Sequence, residues 1–234
     1  MRILLDTTLF SNSVITPGVN GATTTTRTSL DFIVKTLNVA KTFYEKRLKA
    51  GRLYNITVPD TCVDITPYNK GTVISNYELI IYAQYLTNSQ IGYGATGKSC
   101  DYIAGTYPDY TLQVGRPTVG RMIFNTYNLV DQVSSLTNML FQSVTTTTIH
   151  EMTHILGFDS TMYSKFLDPS TGYKYSYTVQ ELESPLVNSN RPKTSILTTP
   201  YVKAWARTHF GCNTLTGMPL ENQDGTGAGS ASHW

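Results

Sequence analysis

The sequence predicts an α+β fold, and three stretches carry that prediction. Residues 29–48 place Leu30, Ile33, Leu37, Ala40, Phe43, Tyr44 and Leu48 at helical spacing. Residues 78–86 (ELIIYAQYL) are apolar on both sides, as a strand covered on both faces of a sheet must be. Residues 145–157 (TTTTIHEMTHILG) return to helical spacing, with Ile149, Met152, Ile155 and Leu156 around two histidines and a glutamate. Strands crossed by one long helix and followed by a second, partly apolar helix form an α+β layout.

In chain order, residues 2–5 read as a short strand, followed by a Gly/Thr-rich loop through Thr28. Ser29 is the expected N-cap of the long helix, and Gly51 stands just past its end. Residues 52–58 alternate, with Tyr54, Ile56 and Val58 on one side. The central strand comes next, and residues 120–125 are a further strand candidate. The helix of residues 145–157 is expected to stop at Gly157, where a left-handed residue ends it most easily. Residues 202–210 read as a last helix before Gly211.

Composition narrows the function classes. The chain has 234 residues, enough for a substantial core, and a net charge of +2 with no Lys/Arg run, which argues against nucleic acid. Only 15% of residues are Asp, Glu, Lys or Arg, against a usual level of about 25%, so the surface is polar and largely uncharged, as suits an exported protein. No apolar run approaches the roughly 18 residues that a bilayer requires. The opening Met1–Leu5 run meets Asp6, too early for a signal-peptide core.

The chemistry lies in His150-Glu151-Met152-Thr153-His154, an H-E-x-x-H motif. Residues four apart share a helix face, so both imidazoles are able to reach one ion, with Glu151 beside its open position. Zn²⁺ suits that set: neutral nitrogen ligands at about 2.0–2.1 Å, and a site left for water whose proton a neighbouring carboxylate takes. The third ligand is missing from the contiguous pattern H-E-x-x-H-x-x-G-x-x-H, because Ser160 stands at the last position and Asp159 is one residue out of register. His209 and His233 are the remaining histidines. His209 falls in a last helical turn, where a histidine usually serves the helix dipole. His233 follows Gly225, Gly227 and Gly229, a backbone able to fold closely against a metal. Glu181 and Glu183 would suit a zinc protease with a third carboxylate, but the second helix motif such enzymes carry is absent.

Residues 92–99 (GYGATGKS) spell the phosphate-binding pattern G-x-x-x-x-G-K-[ST]. That motif works only where a strand enters the loop directly and a helix starts at the lysine. Residues 87–90 intervene before the first glycine, and no helical period follows Ser99. The expectation is a flexible loop leading to Cys100, with no nucleotide partner.

Residues 150–158 (HEMTHILGF) resemble the active-site helix of the leishmanolysin family, surface zinc metalloproteases related to the metzincins. Residues 116–120 (RPTVG), 206–215 (ARTHFGCNTL) and 220–234 (LENQDGTGAGSASHW) are similar to further family segments, and residues 29–48 and 76–86 have counterparts in the same order. The resemblance implies a metzincin-like domain with a mixed sheet, a long backing helix and an active-site helix. It implies His150, His154 and His233 as ligands of one Zn²⁺, and Glu151 as general base. A large insertion before the third histidine is a family trait, which accounts for Ser160. Protein or peptide substrates and an extracellular or cell-surface location follow. The resemblance also suggests that Cys62 pairs with Cys100, leaving Cys212 over. Asn55-Ile56-Thr57 is the one glycosylation sequon.

On this reading residues 1–160 form an N-terminal catalytic subdomain and residues 161–234 an inserted segment leading to the third ligand. The family continues into a Met-turn and a C-terminal domain, often with a lipid-anchor signal, and begins with a signal peptide and pro-region. The chain is therefore expected to be a partial product, cut before the Met-turn, weakly active, and membrane-bound only through an anchor it lacks. The alternative is a non-catalytic surface or adhesion protein that keeps the protease fold.

Overall fold

The computed structural model describes residues 1–11, 25–53, 55–60, 71–92, 94–103, 115–127, 138–182, 194–221 and 233. Two compact units emerge, Met1–Ile103 with Arg116–Leu156, and Ala104–Gly115 with Gly157–Trp234. The first unit contains strands β1 (Ile3–Asp6), β2 (Asn55–Thr57), β3 (Val73–Ser75), β4 (Leu79–Leu86), β5 (Ala95–Tyr102) and β6 (Pro117–Asn125). Its helices are α1 (Thr8–Ser11), α2 (Arg27–Arg47) and α3 (Asn138–Ile155). The architecture is α+β with a mixed sheet. Strand order is β1-β4-β6-β5, in which β1, β4 and β6 run parallel and β5 closes the edge antiparallel.

The two-sided apolar character of residues 78–86 has a direct cause. Leu79, Ile81 and Ala83 point to one face, where they join Leu30, Ile33 and Leu37 of α2 and Met152 and Ile155 of α3. Ile80 and Tyr82 point to the other, where Ile56, Val58 and Val119 cover them. Alternate residues of one strand thus enter two cores. Gly120 of β6 permits the close seat of α3: a Cβ there would stand 2.3 Å from Ile155 Cγ2.

Helix α2 begins two residues earlier than the spacing of its apolar side chains suggests. Its N-cap is Thr26, not Ser29: Thr26 Oγ1 accepts the Ser29 N–H at 3.1 Å, and Ser29 is buried inside the first turn. Within α3 the threonine run is accommodated because hydroxyls bond back along the helix. Thr148 Oγ1 donates to Val144 O at 2.7 Å and Thr153 Oγ1 to Ile149 O at 2.9 Å. Tyr44 of α2 ties the helices together, its hydroxyl lying 3.0 Å from Ile149 O and 2.6 Å from Thr153 Oγ1.

Glu78, just ahead of β4, has a side chain only 3% exposed and paired with Arg2. Burial pushes its carboxyl up, but hydrogen bonds from the Arg2 side chain and backbone outweigh that and hold it below the usual carboxylate range. A depressed carboxyl contributes stability that is complete above its unfolded pKa, about 4.3, and lost as pH falls through the folded value. Glu78→Gln is therefore expected to cost about 1–3 kcal/mol near neutral pH, and to remove part of the acid sensitivity of the wild type. Melting temperatures from pH 3 to 7 check this. Parallel pH profiles for the two proteins would refute it.

The second unit has its own small core of Tyr163, Leu197 and Leu220, with Phe158, Phe166, Val179 and Val202 packed around it. Strands β7 (Val179–Leu182), β8 (Thr194–Leu197) and β9 (Met218–Pro219) form an antiparallel sheet, and helix α4 (Pro200–Phe210) lies between β8 and β9 in sequence. Pro200 opens α4 at a position where a missing N–H costs nothing. Among the described residues, no helix is long and apolar enough to cross a membrane.

A second sequence expectation is overturned here. Residues 95–102 are not a loop: they form β5, and Lys98 and Ser99 sit within a strand paired to Arg121 and Gly120. A lysine in mid-strand opens no helix, so the spelling GYGATGKS lacks the geometry of a phosphate loop.

Candidate metal centre

Helix α3 carries the H-E-x-x-H residues through its last two turns and gives way at Ile155, with Gly157 at φ 109°, a conformation a side chain would resist. Met152 and Ile155 are fully buried and hold the helix against the sheet. The periodicity that buries them turns His150 and His154 to a common side. Their Nε2 atoms stand 3.1 Å apart, with the rings nearly perpendicular at 87°. His154 is buried, whereas His150 is exposed.

Glu151 projects beside them into contact with β5. Its Oε2 accepts the Gly97 N–H at 2.7 Å. Gly97 is required at that point: a Cβ would lie 2.2 Å from the Glu151 carbonyl oxygen, so any other residue would force β5 off the helix. Burial pushes the Glu151 carboxyl up to about 7, against the Gly97 N–H, which favours the carboxylate.

Within the first unit, His150 and His154 each offer a ring nitrogen to one side of α3. The donors suit zinc. Two nitrogens each about 2.0–2.1 Å from one tetrahedral ion stand about 3.3 Å apart, close to the spacing of the α3 pair. In the second unit, His209 is exposed in the last turn of α4, its ring stacked on Trp205 at 4.5 Å and 12°.

The remaining candidates are placed as follows. Cys212 is a free thiol, and its hydrogen bond with Thr214 lowers its pKa. Cys62 lies outside the described residues, and with it the expected pairing to Cys100. Glu183 and the side chain of Glu181 also lie outside them. Two contacts escaped the sequence reading: Gly97 on Glu151, and Glu221 on His233, whose Nδ1 is 3.3 Å from Glu221 Oε2. Each joins residues that no periodicity relates.

The class these donors fit is the zinc metallopeptidases. Within that class, the leishmanolysin family matches residues 28–234, and the chain belongs to it. The chain is also similar to curated proteins called leishmanolysin-like peptidase. The one from Caenorhabditis briggsae is 31% identical over 139 residues, which is 49% of this chain and 21% of that protein. The one from Drosophila melanogaster is 26% identical over 215 residues, 81% of this chain and 30% of that protein. The chain thus spans less than a third of either relative's length.

Proposed function

We propose that this protein is a zinc-dependent metalloendopeptidase of the leishmanolysin type, with His150, His154 and His233 as ligands and Glu151 as general base. The observation that carries the reading is the helix-borne H-E-x-x-H motif, whose two imidazole Nε2 atoms stand 3.1 Å apart on α3, and membership of the family supplies His233 as the third ligand. Zinc held there supplies a Lewis acid that polarises a peptide carbonyl and acidifies water. The protein's own residues supply the rest. Glu151 Oε1 takes the proton of the attacking water and delivers it to the departing amine nitrogen. The Gly97 N–H fixes Oε2, so the carboxylate keeps one orientation through both transfers. Family membership supports protein or peptide substrates, and an extracellular or cell-surface setting with them.

Purified protein is expected to retain about one zinc per chain and to hydrolyse a generic peptide substrate, with a chelator abolishing cleavage and added Zn²⁺ restoring it. Metal analysis and a fluorogenic peptide assay check both. A chain that binds no zinc would refute the reading.

A further inference from the structure

We propose that Glu221 is a positioning residue for the metal centre, clamping His233 so that its Nε2 is the nitrogen presented to the ion. The inference rests on the reading of His233 as a ligand. Glu221 emerges from an anchored point in its own unit. Leu220 is buried in the small core, and its N–H donates to Ser195 O at 2.8 Å, one residue past β9. From there Glu221 grips His233 twice. Its backbone N–H donates to His233 O at 2.6 Å, and its Oε2 lies 3.3 Å from His233 Nδ1. One contact holds the main chain of His233 and the other its ring, which together set the side-chain direction.

The chemistry follows from the imidazole. A neutral ring carries one N–H and one lone pair, and the partner of the N–H decides which nitrogen is which. With Nδ1–H donated to a carboxylate, the lone pair sits on Nε2, the ring is oriented, and its basicity rises. The Glu221 carboxylate faces His233 Nδ1, so it acts through that ring. The pair is partly exposed, 28% and 39% for the two side chains, so as an ion pair it adds little to stability. Its effect falls on metal binding, by ordering a ligand before the metal arrives.

The test is zinc affinity of the full chain, measured by chelator competition for wild type, Glu221→Ala, Glu221→Gln, His233→Ala and the Glu221→Ala/His233→Ala pair. Glu221→Ala is expected to weaken zinc binding about 10–100-fold, the range for a lost outer partner, while the melting temperature of the metal-free protein stays unchanged. Glu221→Gln is expected to fall between, because its amide oxygen still accepts Nδ1–H without the charge. The paired variant should bind no worse than His233→Ala alone. In the Co²⁺-loaded protein, Glu221→Ala should alter the visible ligand-field absorption. If His233→Ala leaves affinity unchanged, the ligand assignment fails and the clamp with it. If His233→Ala strips the metal but the Glu221 variants bind as tightly as wild type, only the clamp fails. Wild-type affinity in Glu221→Gln overturns the carboxylate's role even if Glu221→Ala does not fold.

Discussion

Glu151→Gln is expected to keep its zinc and lose peptide hydrolysis by about 10²–10⁴-fold. The substitution preserves the shape of the side chain and leaves an amide oxygen to accept the Gly97 N–H, so the contact between β5 and α3 survives. What it removes is the basic oxygen, since an amide cannot take up the proton of water at neutral pH. Stability is not expected to suffer. Burial already disfavours the charged form of Glu151, holding its carboxyl at about 7, so a neutral isostere relieves a cost that sets in above the unfolded pKa of about 4.3 and is complete above about 7. Metal content and turnover therefore separate cleanly. A variant that loses zinc, or one that cleaves like the wild type, would remove Glu151 from the role assigned to it.

What was legible in the sequence is what depends on local period. The α2 face, the two-sided β4 strand and the side shared by His150 and His154 each follow from spacings within one element, and each reappears within two or three residues. The cap of α2 was misread because Thr26 and Ser29 are both capable caps, and only the helical backbone of the two residues between them decides. Strand β5 was missed for a stronger reason. ATGKSCDY shows neither alternation nor β-branched enrichment, and its glycine is there for the helix behind it. It becomes a strand through pairing with β6, a tertiary cause that no window of neighbours contains. The same limit applies to the site. Gly97 and Glu151 are 54 residues apart, and their contact is a product of the fold. His233 was reached through resemblance to a family and not through pattern, since it stands 79 positions beyond His154, farther than any helical or strand period reaches.

His233→Ala is expected to weaken zinc binding by more than about 100-fold, beyond the range of a lost outer partner, while His209→Ala leaves it nearly unchanged. A catalytic zinc is held by three protein ligands, and losing one leaves the α3 pair to carry the ion with water. His233 is the third ligand that membership of the family supplies, and Glu221 lies against its ring at 3.3 Å. His209 has a different employment. It sits on the exposed face of α4 against Trp205, near the carbonyl end of the helix, where an imidazole is favoured by the local dipole. Removing it exposes an indole that is already 55% exposed, so the structural cost is small. Peptidase activity should track metal content, falling with His233→Ala and persisting in His209→Ala. Excess Zn²⁺ should restore part of the activity of the first variant if the α3 pair alone retains weak affinity. The reverse order of the two variants would transfer the third-ligand role to His209 and break the correspondence with the family at that position.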